Sequence, residues 1–366
     1  MTLAAAVSTR SELREETVPF QTEDGLTCNL LHVWSAKTPS KGPVLLVHGA
    51  GVRANIFRPP VKNDIVRFLL ANGYDVWLEN WRASIDLPVS RWNLDKAAVF
   101  DHPVAVKKVV AHTGASRIKA LVHCQGSTSF TMSALAGLVP QVETIVSNAV
   151  SLHVVVPQLS RYKLNYAVPA VAALTPVLNP QWGREAPSWR AKALSSLVRL
   201  THRECDNDVC KWASFTYGSG FPTLWRHENL NDATHDWLQD EFAAVPLAFF
   251  QQMARCCRRG SLLSLGEHHQ LPDDFLAADV RTTARFALVT GEQNECFLPE
   301  SQRLTHAFLD ARRPGYHTLR VFPGYGHLDV FLGKRADSEV FPALLAELDA
   351  PVAALSAAPM INQLSS

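Results

Sequence analysis

The sequence predicts an α/β fold, a mostly parallel sheet with helices on both faces and a largely helical insertion. Three observations lead there. Short all-apolar runs alternate with helix-patterned stretches through residues 44–150 and again through 284–348; a strand covered on both faces reads as a continuous apolar run because neither face meets water. No fixed-period repeat or low-complexity tract interrupts this alternation, as expected of strand–helix–strand units in one sheet. Residues 151–280 do break the rhythm, with many aromatics, scattered prolines and helix-like patches such as VVVPQL, YAVPAVAALTPVL and FAAVPLAFFQQMA. The expected organisation is a core of residues 15–150 and 281–350, a cap or lid over 151–280, and a loose tail over 351–366.

The elements follow in order. Residues 18–34 alternate in polarity around Glu23-Asp24-Gly25, which reads as a hairpin with an Asp-Gly turn. VLLVHG (44–49) is a buried strand. VKNDIVRFLLANG (61–73) is a helix stopping at Gly73, and YDVWLEN (74–80) is the next strand. Asp101 and Pro103 read as the N-cap and first turn of another helix. IKALVHC (118–124) is a strand running into a helix from Gln125, and VETIVSNAV (142–150) is a strand. After the insertion come the strand ARFALVTGE (284–292), the helix PESQRLTHAFL (299–309), the strand YHTLRVF (316–322) and a closing helix, SEVFPALLAEL (338–348).

Composition narrows the function classes. The 366 residues are 47% apolar and 19% charged, and 35 Lys plus Arg nearly balance 34 Asp plus Glu. Without a basic stripe, neither nucleic acid nor an anionic membrane surface is an expected partner. No apolar segment of about 18 residues suggests a membrane span, and MTLAAAVSTRSELREE lacks the features of a signal peptide. Seven cysteines are then expected to be reduced thiols in a cytoplasmic protein. Cys205-x4-Cys210 and Cys256-Cys257 have no second ligand pair at zinc spacing, so buried or idle thiols and no metal are expected there.

Acyl chemistry needs a nucleophile, a base and donors for the oxyanion, and each has a candidate in a loop after a strand. In LVHCQGSTSF (121–130) the strand ends at Cys124, at a turn into a helix. A helix N-terminus and a nearby histidine both lower a thiol's pKa. The N–H of Gln125 would be one oxyanion donor, and Gly126 meets the need for a small residue where helix and strand cross. The second donor is expected from His48-Gly49-Ala50-Gly51, at the N–H of Ala50. His327, in VFPGYGHLDV after the last strand, is the expected base. His123, His153, His235, His268 and His269 have no such placement, and packing or surface roles suffice for them. Asn294 and Glu295, in TGEQNECFLPE, are the candidates to orient the base. Asparagine suffices when the partner is a thiol, because the thiolate–imidazolium pair can exist before substrate arrives. His48, Gly49, His123 and Trp81 are expected to line a pocket, with Arg82 and Ser84 as further loop candidates. Ser127 and Ser129 fall inside the helix, where their hydroxyls should bond backbone carbonyls.

YDVWLENWRASIDLP, FDHPVAV, HCQGS and GYGHLD resemble the acid (gastric-type) lipase branch of the α/β-hydrolase superfamily. CDNDVCKWASFTYG (205–218), NDATHDWL (231–238), NECFLPES (294–301) and PGYGHLD (323–329) resemble, more closely still, the α/β-hydrolase-like region fused to cholesterol-oxidase-type flavoproteins. The resemblance covers roughly residues 18–350. It implies an α/β-hydrolase fold, with nucleophile at Cys124, acid-loop position at Asn294 and base at His327. Val122, Cys124 and Asn294 depart from the lipases, which have glycine, serine and aspartate there. No G-x-G-x-x-G follows a first strand, so no flavin or nicotinamide cofactor is expected.

The expected function is hydrolysis of an ester, thioester or lactone with a substantial apolar part, through an acyl-thioester at Cys124. An acyltransferase using the same thiol is one alternative. A non-catalytic relative that binds a lipid or a protein is the other.

Overall fold

The structure, a computed structural model, describes residues 13–202, 205–218 and 223–352. The expected tail thus lies, from residue 353 on, outside the described residues. Eight strands form one sheet: β1 (Arg14–Gln21), β2 (Thr27–Trp34), β3 (Pro43–Val47), β4 (Asp75–Asn80), β5 (Ile118–His123), β6 (Val142–Asn148), β7 (Arg285–Gly291) and β8 (Thr318–Phe322). Their order is β1-β2-β4-β3-β5-β6-β7-β8. β1 and β2 are the antiparallel hairpin read from the Asp-Gly turn, and β2 joins β4 antiparallel. Every pairing from β4 to β8 is parallel. The all-apolar runs are buried along their length: β3 and β7 have no exposed position.

Parallel pairing has one consequence that matters for chemistry. The C-terminal ends of β3, β5, β7 and β8 all reach the same sheet edge, so the loops after them share one rim. Val47 pairs with Val122 in adjacent strands, which sets the His48–Gly51 loop beside the Cys124 turn. Gly291 pairs with Phe322, which sets the Asn294 loop beside the His327 loop.

Helices α1 (Ile65–Ala71), α2 (His102–Thr113), α3 (Cys124–Leu135), α4 (Trp189–Thr201), α5 (Asp208–Tyr217), α6 (Asp232–Trp237), α7 (Leu247–Arg259), α8 (Pro299–Asp310) and α9 (Phe341–Asp349) pack around the sheet or build the excursion between β6 and β7. α1 begins later than expected because Asp64 caps it, accepting from the Arg67 N–H at 2.9 Å. The expected N-cap role of Asp101 is corrected. Helical structure already begins at Leu94, capped by Asn93, and passes through a π-turn over Ala97–Asp101 into α2. Asp101 is therefore interior to the helix. Its carboxylate is fully buried and accepts from the Arg82 guanidinium at 2.6 Å and the Arg82 N–H at 2.9 Å.

The excursion, residues 151–280, is mainly helical, with a two-residue ladder between Val177–Leu178 and Val245–Pro246. Cys205 and Cys210 are free thiols, half-buried and buried, with neighbours that their spacing in the chain did not reveal. His227 and His235, from separate segments, come to them, at 3.4 Å from Cys210 Sγ and 3.3 Å from Cys205 Sγ. Spacing along the chain does not show this because the histidines follow their partners by 17 and 30 positions. No described helix is long and apolar enough to cross a membrane.

Candidate active site

Cys124 has φ 56°, a left-handed conformation that among the described non-glycine residues only Ala149 shares. A side chain there is strained by about 1–2 kcal/mol, and the surrounding contacts hold it. β5 ends at His123 and α3 starts at Cys124, so the chain reverses within one residue. The sulfur thus stands before the unpaired N–H groups of a helix start. Close crossing enforces small neighbours. A Cβ on Gly126 would lie 2.1 Å from the His48 carbonyl oxygen, and one on Gly49 would lie 3.0 Å from Cys124 Cβ.

His327 follows β8 in a loop held from two sides. The Gly326 N–H donates to Asp329 Oδ1 at 2.9 Å. A Cβ on Gly291 would meet the Gly326 carbonyl at 2.1 Å, so the end of β7 lies directly against this loop. His327 Nδ1 is 3.2 Å from Asn294 Oδ1. Asn294 Oδ1 also accepts from the Cys296 N–H (3.0 Å) and the Phe297 N–H (3.2 Å). Its Nδ2 donates to Thr290 Oγ1 at 3.1 Å. Two backbone donors fix which end of the amide is oxygen, so Nδ1 of His327 carries a proton toward it and Nε2 is the nitrogen left to exchange a proton with a partner. That Nε2 is buried and has no hydrogen-bond partner among the described residues. Glu295, the other candidate in this loop, is half-buried, and Asn294 makes the bond to the ring.

The sulfur of Cys124 and one ring nitrogen each of His123 and His327 lie within 4.8 Å of one another. Burial alone would push the Cys124 thiol up. The neighbouring Cys296 thiol, the His327 ring in its charged form and the Gln125 N–H together hold it well below the ordinary thiol value. Cys296 moves the opposite way: the neighbouring Cys124, then burial, push it well above. Cys296 thus keeps its proton, and its Sγ donates to the Tyr217 carbonyl at 3.5 Å. Sequence reasoning missed Cys296. The only available signal was its place two residues after Asn294.

His123 accepts from Asn148 Nδ2 at 2.8 Å, and the same amide donates to the His327 carbonyl at 3.2 Å. Burial, then the nearby His327 and His48, hold His123 well below the usual histidine range. This ring stays neutral and props the base's loop.

Cys124 and Gln125 open onto an apolar cavity of about 60 Å³, whose walls include Leu164, Leu178, Tyr217, Phe249, Phe250 and Met253. The Ala50 N–H has no acceptor among the described residues. The four residues expected to line a pocket are not in this cavity's wall. His48 turns its Nδ1 to the Gly49 carbonyl at 2.6 Å, and burial lowers it to about 3. Trp81 is fully buried and donates to the His48 carbonyl at 2.9 Å. His123 lies between the rings of His327 and Phe331, and Gly49 faces Cys124. The reason is that apolar side chains of the excursion furnish the walls, and the strand-end residues are buried beneath them. Arg82 and Ser84 are likewise buried. Ser129 bonds the Gln125 carbonyl at 3.0 Å as expected, whereas Ser127 pairs with Ser147 at 2.6 Å.

A family model described as alpha/beta hydrolase fold matches residues 42–334. Sterol esterase 2 of Saccharomyces cerevisiae is 25% identical over 142 residues, 33% of this chain and 26% of that protein. Lipase member K of Homo sapiens is 33% identical over 104 residues, 25% of this chain and 26% of that protein. Gastric triacylglycerol lipase of Rattus norvegicus is 30% identical over 124 residues, 29% of this chain and 31% of that protein. The chain thus spans about a quarter to a third of the length of these curated relatives. Among solved structures, a soluble variant of monoglyceride lipase from Saccharomyces cerevisiae has a TM-score of 0.62 at 14% identity, covering 94% of this chain and 97% of that one. Paleococcus ferrophilus monoacylglycerol lipase has a TM-score of 0.54 at 15% identity, covering 92% and 98%. Structural likeness at such identities speaks to the fold alone. The family match runs from the start of the parallel sheet past the His327 loop, and with the eight-stranded topology it leads to one conclusion: the chain belongs to the alpha/beta hydrolase fold family.

Proposed function

We propose that this protein hydrolyses an ester-type bond of an apolar acyl substrate, with Cys124 as nucleophile, His327 as base and Asn294 orienting the base. The observation that carries this reading is the relay from Asn294 Oδ1 to His327 Nδ1, with a buried, unpartnered Nε2 and the Cys124 sulfur beyond. Such a chain is built to move one proton between sulfur and ring. In the cycle, His327 takes the thiol proton and the sulfur attacks the carbonyl carbon. The N–H groups of Gln125 and Ala50 hold the oxyanion, and His327 delivers the proton to the departing alkoxide. Water, deprotonated by His327, then attacks the thioester, and the acid leaves as the sulfur regains its proton. Residues 151–280 serve as a cap whose apolar side chains select the acyl group. The names of the curated relatives, an esterase of sterols and a lipase of triacylglycerols, favour an ester with a long apolar part.

The test is a p-nitrophenyl ester series, with Cys124→Ala as control and acid-quenched mass spectrometry of the enzyme. A mass increase equal to the acyl group, mapped to Cys124, is expected. Undiminished turnover in Cys124→Ala would sink the assignment.

A further inference from the structure

Four side chains from three segments of the excursion converge away from the cavity. Cys205 precedes α5 and Cys210 lies in its first turn; His227 belongs to a 3-10 turn over His227–Asn229, and His235 lies on α6. One sulfur or ring nitrogen from each lies within 4.8 Å of all the others. Cys205 Sγ is 3.3 Å from His235 Nε2, and Cys210 Sγ is 3.4 Å from His227 Nε2. The two imidazoles cross at 71° with centroids 5.0 Å apart. Zinc–sulfur bonds of about 2.3 Å and zinc–nitrogen bonds of about 2.0–2.1 Å at tetrahedral angles put adjacent S and N about 3.6 Å apart. The observed separations fall within a few tenths of an ångström of that.

We propose that Cys205, Cys210, His227 and His235 bind one zinc ion in a closed, four-coordinate structural site. Binding releases two thiol protons to solvent. Two thiolates and two neutral imidazoles then balance the charge of the ion, which suits a partly buried place. Outer contacts orient the donors as structural zinc sites require. The Asn207 N–H donates to Cys205 Sγ at 3.3 Å, and the Asn207 side-chain amide donates to the His235 carbonyl at 3.1 Å. Two separate thiol–imidazole hydrogen bonds would explain each close pair, but not why both pairs share one centre.

The site's position gives the ion a task. α5 carries Tyr217 to the cavity wall at its far end. The segment holding His227 is bonded to the His327 loop on both sides: the Leu328 N–H donates to the Leu224 carbonyl at 2.7 Å, and Asn229 Nδ2 donates to Asp329 Oδ2 at 2.6 Å. Zinc would staple the cavity wall to the loop of the base. This inference stands apart from the role proposed for Cys124.

The test is the metal content of full-length protein purified without chelators from zinc-supplemented cells. About one zinc per chain is expected, falling at least tenfold in Cys205→Ser and in His235→Ala. Cys124→Ser should keep its zinc, which separates this site from the cluster of His123, Cys124 and His327. If the variants fail to fold, chelator-treated wild type loaded with Co(II) decides instead: tetrahedral d–d bands and thiolate charge transfer support the site. Zinc-free wild type without those bands overturns it. So does zinc retained in both ligand variants, or a Cys205–Cys210 disulfide in the untreated protein.

Discussion

Cys124 works against two costs, a left-handed backbone and a buried sulfur, and its neighbours determine whether that sulfur is charged. Because its pKa is held below the ordinary value, the thiolate persists as pH falls until pH passes the folded-state pKa. Between pH 8 and pH 6, iodoacetamide alkylation of Cys124 should therefore slow by clearly less than the roughly hundredfold expected of an ordinary thiol near pKa 8.5. Peptide mapping of the alkylated site across pH checks this. Cys296→Ala removes the first of the neighbours that hold the Cys124 thiol down, so the alkylation profile should move to higher pH. A profile left unmoved would strip Cys296 of any hold on the thiolate. Gly126→Ala tests the crossing of helix and loop. Its methyl would have to displace the His48 carbonyl, so a loss of about 1–3 kcal/mol in chemical denaturation is expected, along with most activity.

Among the elements, those readable from sequence are the ones whose burial is written in consecutive residues. VLLVHG, IKALVHC and ARFALVTGE became β3, β5 and β7 because strands covered on both faces need no polar alternation. Cys124, Asn294 and His327 were readable as a set for a related reason: each follows a parallel strand, and parallel strands end on one edge. Contacts made across the fold were not readable. The influence of Cys296 on Cys124 and the meeting of Cys205 and Cys210 with His227 and His235 depend on loop paths that local pattern does not encode. Asp101 shows how a local rule loses to a tertiary one. Asp-x-Pro reads as a cap, but a buried Arg82 needed a carboxylate more. Arg82 also reaches Asp24, with two contacts at 2.9 Å, so it ties α2 to the β1–β2 hairpin. Asp101→Ala would leave that guanidinium half-compensated inside the protein. A loss of about 3 kcal/mol is expected, read as a lowered urea midpoint; a loss under 1 kcal/mol would mean that Asp24 alone satisfies Arg82.

At the scale of the whole molecule, the excursion from Val150 to the start of β7 both covers the site and carries a destabilising charge. Lys163 lies in the cavity wall, where its ammonium donates to the Gly218 carbonyl at 2.8 Å and stands 4.5 Å from the centre of the Phe215 ring. Burial lowers it from 10.5 to about 7, partly offset by Cys296. The sign follows from proton counts. Between pH 7 and 10.5 the unfolded chain holds a proton that the folded chain has released, so folding stability rises with pH through that window. Below pH 7 both states are protonated and the full penalty applies. Lys163→Met should therefore stabilise the protein most at pH 6, less at pH 8.5, and hardly at all near pH 10.5. Because the side chain is only half-buried, solvent screening limits the gain to about 1–2 kcal/mol. Urea midpoints of wild type and variant at the three pH values are the measurement, and a gain that grows with pH would contradict a partly desolvated ammonium. The same variant makes the wall more apolar, so its kcat/KM should rise for decanoyl relative to acetyl esters. Acyl selection would then be a property of the excursion, separable from the proton relay beneath it.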